Sequence, residues 1–176
     1  VNVDVLGEKA NATRPEIEQI IISNSKGVDE ETFERELYVI RRRIEKAAIA
    51  AQVGSLYMCS LSCRSIIYKG MMLAEQVAEF YPALTDERFV SAFAIYHQRY
   101  STNTFPQWWL AQPFRMLAHN GEINTLKGNV NWMKSHEIRM ASGAFGDMAE
   151  DIKPIVANGS SDSAALDSVF EVLVRA

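Results

Sequence analysis

HQRYSTNTFPQWWLAQPFRMLAHNGEINTLKGNVNW, residues 97–132, holds polar side chains directly after segments that have the pattern of buried strands. The two apolar segments are residues 89–96 and 114–118. If both strands lie in one sheet, they deliver Arg99 and the Asn120-Gly121 pair to one edge of it. Packing does not favour polar residues in these places, so the edge is predicted to be a binding site.

Arg99 and Asn120-Gly121 can each contribute to the binding of a small polar ligand. An arginine presents a planar, charged fork of donors that matches a carboxylate. Glycine lets the backbone turn an N–H toward a ligand, and the adjacent asparagine adds a second donor, so the pair can form an oxyanion hole. Each also has a structural alternative. Arg99 could form an ion pair within the fold, and Asn-Gly is a strong signal for a hairpin turn.

Three short motifs occur along the chain in the order Arg99-Tyr100-Ser101-Thr102, His119-Asn120-Gly121 and Ser161-Asp162. This order resembles the class II glutamine amidotransferases, which are N-terminal-nucleophile hydrolases. The extension INTLKGNVNWM after the turn and the segment YMCSLSCRSIIYKGM at 57–71 are similar, more narrowly, to the glutaminase domain of the glutamate synthase large subunit. The resemblance covers essentially the whole chain.

The resemblance implies roles for five residues. Arg99 would bind the α-carboxylate of L-glutamine, Asp162 would bind its α-amino group, and Thr102 would make a weaker side-chain contact. Asn120 and Gly121 would form the oxyanion hole. A zwitterionic amino acid needs one fixed cation and one fixed anion, and Arg99 with Asp162 supplies that pair.

The nucleophile is where this sequence departs from the family's pattern. The family uses a cysteine at the mature N-terminus, and position 1 here is Val1. Cys59 and Cys63 lie in the interior without an evident general base, although Arg64 could lower the pKa of the Cys63 thiol. We therefore expect the isolated chain to be inactive. It would be an internal portion, 1–176, of a single type 2 glutamine amidotransferase domain, which we favour, or a degenerate copy.

The fold implied by the resemblance is α+β, a four-layer αββα sandwich of antiparallel sheets of the N-terminal-nucleophile hydrolase type, incomplete in this chain. The implied function is hydrolysis of L-glutamine to glutamate and ammonia, which a synthase domain adds reductively to 2-oxoglutarate. FMN and an iron–sulfur cluster are implied for the full-length enzyme, and no cofactor or metal is predicted in this segment. The alternative is a non-catalytic glutamine-binding or regulatory module with the same fold.

Composition argues against two classes of partner. The chain has 176 residues, and 18 Lys plus Arg against 22 Asp plus Glu give a formal net charge of -4, which offers no basic field to nucleic acid. Its apolar runs are shorter than the roughly 20 residues of a membrane-spanning helix. The implied partners are L-glutamine and the remainder of the large subunit, and a small NADPH-oxidising subunit is left open. The expected location is the bacterial cytoplasm, or a plastid in a photosynthetic eukaryote.

Periodicity predicts the helices. The clearest begins after Asp29 as N-cap and continues through residues 33–48, with the arginines at 41–43 on a solvated face. A short helix is predicted at 72–80, and another within 124–141, whose start Gly128 delays to about Asn129. Ser161-Asp162-Ser163 has the pattern of an N-cap, which gives Asp162 a structural interpretation as well.

Two further interpretations concern strands and aromatic residues. Residues 56–61 and 65–68 are predicted to be adjacent strands joined by a short turn. Aromatic side chains are concentrated between positions 105 and 132, and we favour a role in the core over a pocket wall. They are Phe105, Trp108, Trp109, Phe114 and Trp132.

Overall fold

The computed structural model describes residues 1–99, 105–120, 122–140 and 143–176. Short 3-10 turns within them cover Val3–Val5, Pro82–Thr85, Trp108–Leu110 and Gly146–Glu150. None of the described residues lies in a strand, so the family's sandwich is not seen in this part of the chain. The α-helices of the described residues are α1 (Glu8–Ala12), α2 (Glu30–Ala50), α3 (Gln76–Phe80), α4 (Leu126–Arg139) and α5 (Asp162–Arg175).

The start of α2 is the one that the sequence predicts. Asp29 is its N-cap, and the Asp29 carboxylate accepts a hydrogen bond from the Thr32 N–H at 3.0 Å. Glu30 and Glu31 occupy the first turn, where negative charge is favoured by the helix dipole. Hydrogen bonding to Thr32 lowers the pKa of Asp29.

Helices α2 and α5 run antiparallel and are joined by charged side chains. Arg35, near the start of α2, donates to the Arg175 carbonyl at the end of α5 at 2.8 Å. Arg41, further along α2, pairs with Glu171 at 2.5 Å and with Glu45 of its own helix at 2.6 Å. The pairing order along the two helices therefore fixes their relative direction.

The arginines of α2 do not all lie on a solvated face, which corrects the prediction from the sequence. Arg41 and Arg42 are 3% and 9% exposed, whereas the Arg43 side chain is 56% exposed. Arg42 pairs with Glu45 at 2.6 Å and donates to the Ile152 carbonyl at 3.3 Å. The prediction failed because groups outside the helix pair with these side chains. Their hydrogen bonds compensate for the hydration that a buried guanidinium loses.

Two apolar clusters form the core. One joins α2, α5 and the segment 145–155, and the partly buried Met133 of α4 packs against it; its buried members are Tyr38, Val39, Phe145, Ile152, Ile155 and Val172. The other lies around α3 and the N-terminal segment; its buried members are Phe80, Tyr81 and Trp108. The second cluster is made largely of aromatic rings, and Phe80 meets Tyr81 edge-on at 4.7 Å between centroids.

The segments predicted as strands, 56–61, 65–68, 89–96 and 114–118, contain no strand in the structure, so these predictions are wrong. A strand must pair its N–H and C=O groups with a neighbouring strand. In residues 115–117 the three N–H groups instead donate to the Asp167 carboxylate, at 3.3, 2.6 and 3.1 Å. Phe114 donates to the Leu117 carbonyl at 2.9 Å, which closes a turn.

Side chains also take the place of strand partners in residues 56–68. The Met58 carbonyl accepts from the Arg115 side chain, and the Ile67 N–H donates to the Ser60 hydroxyl at 3.3 Å. In residues 89–96 the hydrogen bonds are local, such as Phe89 N–H to the Asp86 carbonyl at 2.8 Å. Several side chains of this segment are mostly exposed, including Val90 at 87%. The apolar content of these segments predicted strands, but among the described residues no neighbouring strand pairs with them.

Two helix boundaries differ from prediction. Helix α4 begins at Leu126, so Gly128 lies inside its first turn and does not delay it. Thr125 precedes it with a φ of 61°, in the left-handed region. Helix α3 is shorter than the predicted 72–80, since it begins at Gln76, and it ends before Pro82 as expected.

The two kinds of arginine on α2 should differ in their effect on stability. Arg41→Met removes the buried cation that neutralises Glu171, and we expect a loss of about 3 kcal/mol in the free energy of unfolding. Arg43→Met is the matched control, because Arg43 pairs with Asp151 near the surface at 2.6 Å and should cost less than about 1 kcal/mol. Urea unfolding of both variants measures the difference. Equal losses would show that the Arg41 pairs do not stabilise the contact between α2 and α5.

Candidate functional site

A cavity of about 490 Å³ lies where three segments meet. The first is 105–110, the second follows the Asn120-Gly121 pair, and the third leads into α5. Its volume falls in the range of roughly 300–1,000 Å³ typical of small-molecule sites. The lining residues are Phe105, Gln107, Leu110, Glu122, Ile123, Asn124, Leu126, Gly159, Ser160, Ser161 and Asp162.

Asp162 lines this cavity at the first position of α5. Ser161 is the N-cap, and its hydroxyl accepts from the Ala164 N–H at 3.2 Å. The Asp162 carboxylate accepts from the Ser163 N–H at 2.7 Å and from the Ile123 N–H at 2.8 Å. Asp162 is half-buried, and it lies at the positive end of the helix dipole.

The segment before the cavity contains the predicted oxyanion hole. Asn120 is exposed and is not among the residues that line the cavity, and Gly121 lies outside the described residues. The cavity wall begins two positions beyond Asn120, at Glu122, and continues with Ile123. Asn120 therefore stands two positions before the wall segment whose Ile123 N–H donates to Asp162.

The structure does not bring Arg99 to the cavity. Arg99 is exposed, its N–H donates to Nδ1 of His97 at 3.2 Å, and it is not among the lining residues. Thr102 lies outside the described residues. Of the predicted substrate-binding residues, Asp162 is the one that the described structure places at the cavity.

A buried lysine holds the wall that contributes Gln107 and Leu110. Lys69 is 6% exposed, and its ammonium donates to the Trp109 carbonyl at 2.8 Å and to the Tyr57 hydroxyl at 3.2 Å. The Trp108 ring packs over Gly70, where an added Cβ would come within 2.5 Å of the ring. These contacts fix the 3-10 turn Trp108–Leu110 against the core.

The surroundings of Lys69 disfavour its charge. Burial lowers the pKa of Lys69 to about 7, with the Arg115 guanidinium adding to this effect. The ammonium lies 4.5 Å from the centroid of the Tyr57 ring and 5.0 Å from that of Phe114, which offsets part of the loss of hydration.

The surroundings of Cys63 disfavour its thiolate. Burial and a hydrogen bond to Glu34 raise the pKa of the Cys63 thiol. Arg64, which the sequence offered as an activating cation, pairs instead with Glu30 and with Glu31. Cys59 is half-buried. The absence of a catalytic role for Cys59 and Cys63 stays a prediction.

The described ranges offer neither a cluster of metal ligands nor a membrane-spanning helix. They contain no group of three or more His, Cys, Asp or Glu side chains that could hold a metal ion. An iron–sulfur cluster is normally held by four cysteine thiolates, so Cys59 and Cys63 do not fit one. Among the described helices, none is both long enough and apolar enough to cross a membrane.

The aromatic residues divide between core and surface. Trp108 and Phe114 are 8% and 4% exposed, as favoured from the sequence. Phe105 lines the cavity and is 82% exposed, and Trp132 on α4 is 70% exposed. For residues 105–114 periodicity could not separate these two groups, because neighbouring aromatic residues in irregular segments have no fixed face.

Sequence reasoning missed the polar residues that shape the site without being in its motifs. Gln107, Glu122 and Ser160 line the cavity, and Gln112 and Asp167 hold its backbone. The available signal was a polar residue in an apolar setting. Asp167 interrupts the apolar run of α5, and Gln112 stands among Leu110, Ala111 and Pro113.

The comparisons with known proteins agree in one family. A family model described as "Glutamine amidotransferases class-II" matches residues 1–176. The "Glutamate synthase [NADPH] large chain" of Azospirillum brasilense is 70% identical over 176 residues, which are 100% of this chain and 12% of that protein. The sequence resemblance to glutamate synthase is therefore confirmed.

Two further relatives extend the comparison. The "Ferredoxin-dependent glutamate synthase, chloroplastic" of Oryza sativa subsp. japonica is 49% identical over 175 residues, 99% of this chain and 11% of that protein. The "Glutamate synthase [NADPH] large chain" of Bacillus subtilis is 47% identical over 177 residues, 100% of this chain and 12% of that protein. The chain thus spans 12%, 11% and 12% of the lengths of these three relatives.

The lowered pKa of Lys69 predicts a pH dependence of stability. Between about pH 7 and pH 10.5 the unfolded chain holds a proton on Lys69 that the folded chain lacks, so stability should rise with pH in this window. The slope should approach about 1.4 kcal/mol per pH unit for one proton. In Lys69→Met this rise should disappear. Urea unfolding at several pH values measures it.

Lys26→Met is the control for that experiment, because Lys26 pairs near the surface with Glu36 at 3.0 Å. It should keep the pH dependence of the unsubstituted chain. If Lys69→Met also kept it, the ammonium of Lys69 would retain an ordinary pKa in the folded state.

Proposed function

The chain belongs to the class II glutamine amidotransferases, and we propose that it is the glutaminase region of a glutamate synthase large chain. In this proposal it binds L-glutamine in the cavity beside Asp162 and takes part in its hydrolysis to glutamate and ammonia. The observation that carries the proposal is the position of Asp162. It lies at a cavity of suitable size and is hydrogen-bonded to the segment that follows Asn120-Gly121.

Asp162 would bind the α-amino group of glutamine. A half-buried carboxylate at the wall of a cavity attracts an ammonium group, and the hydrogen bonds from Ile123 and Ser163 fix its direction. A neutral ligand would gain less from this charge. The site therefore favours a free amino acid over a ligand that lacks an amine.

Arg99 would bind the α-carboxylate, with Thr102 as a weaker side-chain contact. Arg99 is exposed, so a guanidinium with five donors is accessible to a ligand. Asn120 and Gly121 would donate to the amide oxygen of glutamine as it gains negative charge. These assignments follow the family's motifs, and an approach of Arg99 to the cavity when glutamine binds is part of the proposal.

The nucleophile of the family, an N-terminal cysteine, has no counterpart in Cys59 or Cys63. The raised pKa of Cys63 makes its thiolate scarce at neutral pH. The proposal therefore assigns to these 176 residues the binding and oxyanion-stabilising part of the reaction. The thiol attack and the acceptance of its proton are assigned to the cysteine and its α-amino group.

The ammonia released would pass to a synthase domain, where reductive addition to 2-oxoglutarate gives glutamate. The remainder of the large chain is the partner that this proposal requires, and an NADPH-oxidising subunit is a second partner if the electron donor is NADPH. FMN and an iron–sulfur cluster would serve the reductive step, and they would lie outside this segment. The described side chains supply no set of ligands for such a cluster.

The role of Arg99 can be tested by glutamine binding to the full-length enzyme. Arg99→Ala should raise the dissociation constant for L-glutamine by about 10-fold to 150-fold, because a charge-assisted pair contributes about 1.5–3 kcal/mol. Arg88→Ala is the matched control. Arg88 lies in the preceding segment, pairs with Asp86 at 2.6 Å, and should leave binding unchanged. If the two variants bind L-glutamine with equal affinity, Arg99 does not bind the α-carboxylate.

The catalytic role separates the proposal from a non-catalytic glutamine-binding module. The full-length enzyme should release ammonia from L-glutamine, and Asp162→Asn should raise KM by about tenfold or more. An asparagine can still accept from the Ile123 N–H, so this substitution removes the charge and keeps the hydrogen bond. A coupled assay with glutamate dehydrogenase measures the ammonia. Binding of glutamine without ammonia release would favour the non-catalytic module.

A further inference from the structure

The backbone around Asn120 is held by three side chains from outside its own turn. Asp167 accepts hydrogen bonds from the N–H groups of residues 115–117, and Asp162 accepts one from Ile123. Between these two anchors, Gln112 holds His119, the residue immediately before Asn120. Two of the three anchors, Asp162 and Asp167, belong to α5, five residues apart.

Gln112 makes a closed pair of hydrogen bonds with the backbone of His119. Its Oε1 accepts from the His119 N–H at 2.6 Å, and its Nε2 donates to the His119 carbonyl at 2.6 Å. Both distances are short for N–H···O bonds. Gln112 is half-buried, so exchange of these bonds for bonds to water is restricted.

The pair also sets the direction of the Asn120 N–H. The His119 carbonyl and the Asn120 N–H belong to one planar peptide unit, and in a trans peptide they point in opposite directions. Fixing the carbonyl toward Gln112 therefore aims the Asn120 N–H away from Gln112. It also restricts where the Asn120 Cα and side chain can lie.

We propose that Gln112 is a positioning residue for the glutaminase reaction, because its carboxamide fixes the peptide that presents Asn120. This inference rests on the proposed function, in which Asn120 helps to stabilise the oxyanion. Donors of this kind act in the transition state only if they are held in place before the reaction. The ground state of bound glutamine depends on Arg99 and Asp162. Loss of Gln112 should therefore lower kcat and leave KM nearly unchanged.

The test uses glutamine hydrolysis by the full-length enzyme. Loss of one oxyanion-hole donor lowers kcat by about 10²–10³-fold, so a displaced donor in Gln112→Ala should lower kcat by at least about tenfold. KM should stay within about twofold of its original value. Gln112→Glu keeps the acceptor for the His119 N–H. Its second carboxylate oxygen would face the His119 carbonyl oxygen and repel it, so the kcat of this variant should also fall.

Gln112→Glu adds a pH readout. A protonated glutamic acid can donate to the His119 carbonyl, whereas a carboxylate cannot. The ratio of its kcat to that of the unsubstituted enzyme should therefore rise as the pH is lowered from about 8 to about 5. This variant also serves as the test if alanine at position 112 does not yield folded enzyme.

Gln76 provides a matched control. It is also half-buried, and its side chain makes the same kind of clamp, accepting from the Leu73 N–H at 2.7 Å and donating to the Val5 carbonyl. None of these residues lines the cavity. Gln76→Ala should lower thermal stability about as much as Gln112→Ala and leave kcat unchanged.

The outcomes separate this inference from the proposed function. If the unsubstituted enzyme hydrolyses glutamine and Gln112→Ala has the kcat of Gln76→Ala, the positioning role is wrong and the proposed function stands. A rise in KM with unchanged kcat would also overturn it, since Gln112 would then act on binding. Absence of hydrolysis by the unsubstituted enzyme would overturn both.

Discussion

The contact on which the site depends is the one between the Asp167 carboxylate and three consecutive backbone N–H groups. Asp167 is 1% exposed and accepts from Arg115, Met116 and Leu117. Burial raises the pKa of this carboxyl, while the N–H of Met116 and the Arg115 guanidinium favour its charged form. A buried carboxylate is stable only when it is hydrogen-bonded, so the N–H groups of residues 115–117 must stay in contact with Asp167. The segment before Asn120 is therefore held against α5. Helix α5 thus carries a cavity residue, Asp162, and the anchor of the neighbouring turn.

The same helix is tied to α2 by charges that are mostly removed from water. Glu45 is surrounded by Arg41, Arg42 and Arg115, and although burial would raise its pKa, these guanidinium groups hold it below its ordinary value. Arg115 also donates to the Met58 carbonyl at 3.1 Å, so one side chain links α2 to the segment 56–61. A buried network of this kind specifies one arrangement, because a shifted helix would leave several charges without partners.

These contacts show what the sequence could and could not predict. Periodicity and capping located α2 and the start of α5, because Asp29 and Ser161 cap through bonds to residues three positions away. The strand predictions at 114–118 failed because their N–H groups bond to Asp167, about 50 residues along the chain. The motifs indicated Asp162 at the cavity but could not reveal Gln112 or Lys69. Their roles arise from contacts with backbone groups at positions 119 and 109, and for Gln112 the sequence shows only a polar residue in an apolar setting, which does not identify its partner.

The structural and binding interpretations of Asp162 are compatible. A carboxylate offers about four acceptor positions. Among the described residues, Asp162 uses three of them, for the Ile123 N–H and for the N–H and hydroxyl of Ser163. Neutral donors do not cancel its negative charge, so in the proposed function an ammonium group in the cavity takes the remaining position and balances that charge. The Asp162 carboxylate also accepts from the Ile123 N–H, three positions after Asn120. In the proposed function, binding of the amine to Asp162 would therefore affect the position of this segment, and with it the geometry of the oxyanion hole.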